Sequence, residues 1–404
     1  MKLKIAVFIL HKKINSYVFR QITGSNRTAI ETANLLRTVI SNSRWSTAAS
    51  LLQLIREIAI RIIKAQPIEF AVGNIVRRVL HLIREEYRTN CSITSNETNN
   101  PESSSKRLGD EIIRTNSPME DDLSFTAFKN AAGYLSTSAA ISGSSINSAS
   151  LGRSMTDSSM YNLLADKSEE SIDYTRPLFA LKQLVIQGLN ELIDELETVE
   201  SNIASQSLEY IHNNEVIMTI GKSNTVAQVL INAARKRQFQ VIVAEAAPNY
   251  GGHQMVKTLA AAGIETLLIP DSSVYALMAR VNKVIIGCHA VTANGGLIAM
   301  AGSEMVAAAA RHYSIPVCVV AGMYKLSPVY PENHDSFNLF GPPDAVLPFD
   351  QAHLIDRVNV INPCFDYVPP NHVNLFVTNV GGHPPSYIYR LLGELYDQED
   401  YKLY

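Results

Sequence analysis

Residues 216–244, VIMTIGKSNTVAQVLINAARKRQFQVIVA, decide the predicted fold. Two short apolar runs, at 216–220 and 241–244, enclose a segment with helical periodicity at about 225–236. Short apolar runs bounded by turn residues are typical of buried strands, and apolar residues spaced three or four apart are typical of a helix. The stretch therefore predicts a strand–helix–strand unit with parallel strands.

The same alternation continues towards the C-terminus. Further strands are predicted at 266–269, 283–287 and 317–321, and helices at 254–262, 273–280 and 303–313. This order implies a doubly wound, mostly parallel, Rossmann-like sheet domain, which we assign to residues 206–404. Ligands in such sheets bind beyond the carboxyl ends of the strands. Those ends are predicted at 221–223, 245–252, 271 and 287–296.

The first 205 residues predict a different architecture. Residues 1–89 and 173–205 are interpreted as two parts of an N-terminal all-helical domain, so that the whole chain belongs to the α/β class. Ser46 or Thr47 can cap one helix, and Pro67 is predicted to begin the next, where its missing N–H costs nothing. The strongest helical pattern runs from about 175 to 203, with apolar residues at three- and four-residue steps.

Residues 90–172 separate the two helical parts. Serine, asparagine and threonine dominate there, and residues 136–150 are nearly all Ser, Ala, Gly and Ile. Such a composition cannot bury enough apolar surface to offset the entropy of ordering the chain. We therefore predict that 90–172 is a disordered insertion.

Composition and cysteine spacing exclude several classes of protein. The formal net charge is -3, which argues against a general polyanion-binding protein. The four cysteines have neither metal-binding nor CxxC spacing. No apolar run approaches the roughly 20 residues that a membrane helix needs. We expect a cytoplasmic protein with no metal, no cofactor, and neither membrane nor direct nucleic-acid binding.

Familiar catalytic motifs are also missing from the sequence. Gly221-Lys222-Ser223 suggests a phosphate-binding loop, but the glycine needed five residues earlier is Val216, inside the first strand. No G-x-G-x-x-G follows that strand, and neither H-E-x-x-H nor G-x-S-x-G occurs. His253 and His383 each follow a Gly-Gly pair and are interpreted as turn residues rather than metal ligands.

Two loops carry a resemblance to a known family. Residues 241–248, VIVAEAAP, and 287–296, GCHAVTANGG, resemble loops of the isomerases that interconvert aldose and ketose phosphates. They equally resemble the non-enzymatic relatives of those isomerases, the alpha, beta and delta subunits of translation initiation factor 2B. In the isomerases a Cys and an Asp transfer protons, and an Arg holds the phosphate.

The positions that match those three residues are Gly221, Ala247 and His289. Glycine and alanine can neither transfer protons nor hold a phosphate, and His289 would lack an acid partner. The resemblance therefore implies a vestigial pocket without catalytic residues. Its residues would be Gly221, Lys222, Ser223, Ala247, His289 and Asn294.

Other segments favour the initiation-factor branch of this family. They are 281–287, VNKVIIG, 324–328, YKLSP, and 365–370, FDYVPP, while 379–391, NVGGHPPSYIYRL, looks most like the beta members. The resemblance implies a regulatory, non-catalytic subunit of the guanine-nucleotide exchange factor for translation initiation factor 2. In that complex alpha, beta and delta form the core that senses phosphorylated factor 2, and gamma and epsilon carry catalysis. A divergent isomerase using His289, or a metabolite-binding relative, remains an alternative.

Two surfaces are candidates for partner contacts. Aromatic and arginine residues are enriched at interfaces, so the C-terminal tail is a candidate subunit interface. Its residues are Tyr387, Tyr389, Arg390 and Tyr396. The alternative is that they pack in the core. The basic face of the helix after Pro67 is a candidate surface for the phosphorylated alpha subunit of factor 2. Its residues are Arg77, Arg78, His81 and Arg84. The alternative is that these side chains are solvated or pair with nearby acids.

Overall fold

The structure is a computed structural model that describes residues 24–98, 173–176, 180–331, 338–350 and 357–403. The described residues up to 92 and from 173 onward belong to one compact unit. Residues 93–172 form a second unit, of which only the end of one helix is described. The predicted α/β class, with helices preceding a mostly parallel sheet, is confirmed.

The described residues of the N-terminal part form four long helices. They are α1 (Ser25–Asn42), α2 (Ala48–Ala65), α3 (Phe70–Thr98) and α4 (Leu181–Ser205). Helix α2 begins after a predicted cap: the Thr47 hydroxyl accepts a hydrogen bond from the Ser50 N–H, and the Ser50 hydroxyl accepts one from the Thr47 N–H. Such a reciprocal pair satisfies two donors that the first turn leaves open.

Helix α4 buries the predicted apolar stripe, from Leu181 through Leu192 to Ile203. The prediction that Pro67 begins a helix was wrong. Pro67 lies in a turn that the Glu69 N–H closes on the Gln66 carbonyl, and α3 begins three residues later. The chain needs this turn to reverse direction between α2 and α3.

Helix α3 extends into the predicted insertion. Residues 90–98 are helical, so the predicted boundary at 89 was too early, and 99–172 lie outside the described residues. Polar side chains fold back on the helix here: Thr89 Oγ1 donates to the Glu85 carbonyl and Asn90 Nδ2 to the Glu86 carbonyl. The Tyr87 hydroxyl donates to the Asp173 carbonyl at 2.6 Å, which ties the two sides of the insertion together.

The C-terminal part contains two sheets. Its strands are β1 (Val216–Ile220), β2 (Gln240–Ala244), β3 (Glu265–Ile269), β4 (Lys283–Gly287), β5 (Ala290–Val291), β6 (Leu297–Met300), β7 (Val317–Val320), β8 (Phe365–Val368), β9 (Leu375–Val377) and β10 (Gly382–His383). The larger sheet has the order β10-β9-β7-β4-β1-β2-β3 and is parallel except at β10. The five predicted strands all lie in it, within one residue of their predicted bounds.

Shorter helices connect the strands. They are α5 (Ser207–Tyr210), α6 (Asn224–Ala234), α7 (Gly251–Ala261), α8 (Val274–Met278), α9 (Ser303–His312) and α10 (Ile388–Leu395). The second sheet, β5-β6-β8, is antiparallel and was not predicted. Its strands are short, and β8 pairs with β6 although more than sixty residues separate them, so no local sequence pattern predicts the pairing.

The larger sheet separates two apolar cores. Side chains alternate across a strand, so Ile217 lies in a core with α1–α4, α6 and α7, while Met218 lies in a core with α8–α10. The same alternation divides Val241 from Ile242 and Ile285 from Ile286. Helices α6 and α7 contact the strands on the first side, and the N-terminal part packs on α6 by way of α4. None of the helices in the described ranges is long and apolar enough to cross a membrane.

The cap of α2 gives a first test. We expect Thr47→Ala to lower the free energy of unfolding by about 1 kcal/mol, because the first turn loses a side-chain acceptor. Chemical denaturation measures the change. Thr198→Ala is the matched control: its hydroxyl bonds the Asp194 carbonyl within α4, and mid-helix alanine is favourable. Equal losses in the two variants would contradict the capping role.

Candidate functional site

A cavity of about 480 Å³ lies where the first turn of α1 meets the carboxyl ends of β1 and β4. This is the edge at which the sequence predicted a ligand site. Three of the predicted pocket residues line it, namely Lys222, Ser223 and His289. Gly221, Ala247 and Asn294 are not among its described lining residues. The lining also includes Ser25, Asn26, Cys288, Met300, Lys325 and Phe365.

Gly221 is buried and has no room for a side chain. Its φ of 58° lies in the left-handed region that favours glycine. A Cβ added here would overlap the sulfur atom of Met300 and come within 3.2 Å of the Ala246 Cβ. The position that corresponds to the isomerase cysteine is thus filled by packing.

The two polar residues after Gly221 are already engaged. Lys222 is exposed, and its Nζ donates to Gln254 Oε1 at 3.0 Å. The Ser223 hydroxyl caps α6 by accepting from the Val226 N–H. A serine that caps a helix has a structural reason to be present, whatever occupies the cavity.

His289 connects the strand-end loop of β4 to the N-terminal helices. Its Nε2 donates to the Ile68 carbonyl at 3.1 Å, and since a carbonyl only accepts, Nε2 carries the proton. Its Nδ1 lies 3.4 Å from the Ser25 hydroxyl. The imidazole also stacks on Phe365, with ring centroids 4.6 Å apart. Both nitrogens are therefore directed at the helical part.

The remaining two predicted pocket residues shape loops outside the cavity. The Ala247 N–H donates to Asp271 at 2.7 Å, and the Ala246 N–H donates to the same carboxylate. A carboxylate beside this loop opposes the binding of a phosphate. Asn294 accepts from the Thr292 hydroxyl and donates to the Tyr367 hydroxyl, so it holds a turn.

Sequence reasoning missed one buried cation at this site. The Lys325 side chain is buried, and its Nζ donates to the Cys288 carbonyl at 2.7 Å. Burial raises the pKa of the Cys288 thiol, although Lys325 acts in the opposite direction. A reactive cysteine needs a lowered pKa, so Cys288 is not poised as a nucleophile. The segment YKLSP contains the only local signal, a lysine just after the apolar strand β7.

The basic face of α3 is not an open surface. Arg77 is 4% exposed and Arg84 2% exposed, so the prediction that they form a partner surface was wrong. Arg84 donates to Asp397 and Glu399, each at 2.9 Å. These acids lie more than 300 residues away in the sequence, and no local pattern could have paired them. The other predicted members, Arg78 and His81, are partly buried.

The aromatic tail divides into core and surface residues. Tyr396 is 3% exposed and its hydroxyl donates to the Leu326 carbonyl, so it belongs to the core and not to an interface. Tyr389 is 64% exposed. The Arg390 guanidinium lies 5.5 Å from the centroid of the Tyr387 ring. We call Tyr387, Tyr389 and Arg390 the tail surface.

Comparison with known proteins identifies the family. The family model described as "Initiation factor 2 subunit family" matches residues 21–385, which is most of the chain. The chain belongs to this family. The match includes the helical part as well as the sheet, and so it covers both sides of the cavity.

Two relatives of nearly the same length are named as beta subunits. The chain is 43% identical over 398 residues to "Translation initiation factor eIF2B subunit beta" of Dictyostelium discoideum, covering 97% of this chain and 95% of the relative. It is 39% identical over 401 residues to the protein of the same name from Schizosaccharomyces pombe, covering 94% of each.

Solved structures and enzymes extend the comparison. A chain of the tetrameric eIF2B-beta2-delta2 complex from C. thermophilum is 26% identical, with a TM-score of 0.61, and the match covers 96% of this chain and 95% of that one. A ribose 1,5-bisphosphate isomerase of Archaeoglobus fulgidus is 31% identical over 240 residues, 58% of this chain and 72% of that protein.

The packing at Gly221 gives a second test. We expect Gly221→Ala to lower the free energy of unfolding by about 2–4 kcal/mol, because a left-handed backbone and overpacking both cost free energy. Adding Met300→Ala should recover part of this loss, since it removes the overlapping sulfur. Denaturant titrations of the single and double variants measure both effects.

Gly263→Ala is the control for this test. Gly263 also has a positive φ, of 80°, but no described heavy atom lies within 4 Å of where its Cβ would stand. It should lose only about 1 kcal/mol. The packing explanation fails if both alanine variants lose the same amount, or if Met300→Ala gives no recovery.

Proposed function

We propose that this chain is a beta subunit in the regulatory core of initiation factor 2B, the guanine-nucleotide exchange factor for translation initiation factor 2. Its place of action would be the cytoplasm. Two beta subunits match it over nearly their whole length, which supports the assignment. The observation that carries the non-catalytic role is at Gly221, where a glycine stands at the cysteine position and the sulfur of Met300 occupies the place of a Cβ.

We further propose that the cavity is a vestige of an isomerase site. Three features support this: the filled position at Gly221, the carboxylate of Asp271 beside Ala247, and the hydrogen bonds that hold His289 on the helical part. The alternative is a divergent sugar-phosphate isomerase. It is favoured by the isomerase relative and by a cavity that keeps Lys222 and His289 in its lining.

An activity assay separates these two functions. The purified chain, incubated with ribose 1,5-bisphosphate or methylthioribose 1-phosphate, should form no ketose product above the buffer rate. The reason is that the positions of the isomerase cysteine, arginine and aspartate hold Gly221, Ala247 and His289, and His289 is bonded to the Ile68 carbonyl. His289→Ala serves as the control variant and should behave identically. Turnover by the native chain that His289→Ala abolishes would favour the isomerase.

The partners in this proposal are the alpha, delta, gamma and epsilon subunits. The relative solved as a beta–delta tetramer supports a delta-type neighbour. The tail surface is the proposed subunit contact, since Tyr389 and Arg390 are exposed and of residue types enriched at interfaces. The assembled core would also contact factor 2 and its phosphorylated alpha subunit through the helical part. Arg77 and Arg84 are not available for that contact, because they are buried.

Co-expression tests the proposal. A tagged chain expressed with the other four subunits should co-purify with them, and the complex should accelerate GDP release from factor 2 whereas the isolated chain should not. A chain that purifies alone in the presence of the other subunits would contradict the assignment.

The same co-expression experiment tests the tail surface as a subunit contact. Arg390→Glu combined with Tyr389→Ala should reduce the co-purified delta subunit several-fold, because the interface loses an aromatic anchor and gains a repelling charge. Arg235→Glu, an equal charge reversal at an exposed residue after α6, is the control. Equal recovery of delta in both cases would remove the tail surface from the interface while leaving the subunit assignment intact.

A further inference from the structure

Residues 397–403 follow α10 and lie against helices α2 and α3. We call this segment the C-terminal hook. It starts next to Tyr396, which packs in the core shared with α8–α10, and ends at Leu403, which packs in the core of helices α1–α4. The hook therefore passes from one apolar core to the other, around a sheet that separates them.

Asp400 is the centre of the hook. It is fully buried, with no exposed surface. Arg56 of α2 donates to Asp400 Oδ1 through Nη2 at 2.8 Å and through Nε at 3.2 Å. Arg84 of α3 donates to the other oxygen, Oδ2. One carboxylate thus joins two helices.

The other two acids of the hook use the same arginine. Arg84 Nη1 donates to Asp397 at 2.9 Å as well as to Asp400, and Arg84 Nη2 donates to Glu399. Residues 398–400 form a turn of 3-10 helix. Asp397 precedes this turn in an extended conformation, and the turn brings Asp400 back to the guanidinium that Asp397 also accepts from.

Further contacts fix the backbone of the hook. Arg77 donates through Nε to the Asp400 carbonyl and through Nη2 to the Tyr401 carbonyl, each at 3.1 Å. His81 Nδ1 lies 3.1 Å from Asp397 Oδ2, and Arg88 lies 3.7 Å from the other oxygen of that carboxylate. Burial by itself raises the pKa of Asp397, but hydrogen bonds from His81 and Arg84 outweigh it and hold the pKa at about 2. Asp397 is therefore ionised at neutral pH.

The charges of this cluster depend on one another. Three arginines (Arg56, Arg84 and Arg88) and His81 converge on three carboxylates, while Arg77 binds the backbone of the hook. Arg77 and Arg84 are almost completely buried. Buried arginines cannot lose their charge. Without the hook they would face one another in a poorly hydrated environment, which is strongly unfavourable. The buried arginines of the helices therefore depend on the carboxylates of the hook for charge compensation, and the carboxylates depend on the arginines.

We propose that the C-terminal hook is an ionic clamp that holds helices α2 and α3 on the sheet part, with Arg84 as its bridging residue. The clamp makes the helical part and the sheet part respond as one body to whatever binds either of them. This inference does not depend on the proposed function, because it concerns only contacts within the chain.

Hydrogen exchange of the full-length chain, followed by mass spectrometry, tests the clamp. Asp400→Asn keeps the shape of the side chain and removes its charge. Amides in the hook and in α2 and α3 should then exchange at least about 100-fold faster, because a broken buried pair leaves an uncompensated charge. Amides in β1, β2 and β4 should keep their protection, since these strands do not contact the hook charges.

Two further variants sharpen the test. Glu394→Gln removes the same charge from an exposed pair with Arg390 on α10, and it should change exchange in α2 and α3 by less than about twofold. Arg84→Lys keeps the charge, but one ammonium cannot bridge three carboxylates. It should therefore accelerate exchange of the hook by an intermediate factor.

Several results would overturn the clamp. One is unchanged exchange in α2 and α3 in Asp400→Asn. Another is an equal acceleration in the strands, which would mean a general loss of stability and no local role. If Arg84→Lys exchanges like the native chain, Arg84 is not the bridging residue and the proposal fails in that form.

Discussion

The burial of the parallel sheet on both faces is the constraint on which the rest of the structure depends. Each central strand must supply apolar side chains to two different cores, one shared with α1–α4, α6 and α7 and the other with α8–α10. Parallel sheets need this double cover. On one side this cover comes from α6 and α7, with the N-terminal helices packed on α6 by way of α4. The first turn of α1 closes over the strand ends to form the cavity.

That closure also explains the present state of the cavity. Strand-end loops are where such folds place ligands, yet here the loops serve the packing of the two parts. His289 is held by the Ile68 carbonyl, Ser223 caps a helix and Met300 fills the space beside Gly221. These three residues therefore serve the structure of the strand-end loops and their contact with the helical part.

The sequence predicted those features that depend on residues close together in the chain. The strands of the parallel sheet, the cap at Thr47 and the stripe of α4 each depend on neighbouring residues, and all are confirmed. The small sheet and the fate of the basic helix face depend on residues far apart in the chain. Nothing near Arg84 indicates that its partners are Asp397, Glu399 and Asp400, and so a buried ion cluster was interpreted as a surface. The sequence also could not predict which residues of the aromatic tail are exposed and which are buried, because their burial depends on residues far away in the chain.

The distance along the chain between Arg84 and Asp400, 316 residues, has a consequence for synthesis on the ribosome. At roughly 5–20 residues per second, about 15–60 s pass between the appearance of the arginine and that of its carboxylate. During this interval α2 and α3 cannot complete their packing, because Arg77 and Arg84 must stay hydrated. The ion cluster can therefore form only after the hook has been synthesised, late in translation of the described chain.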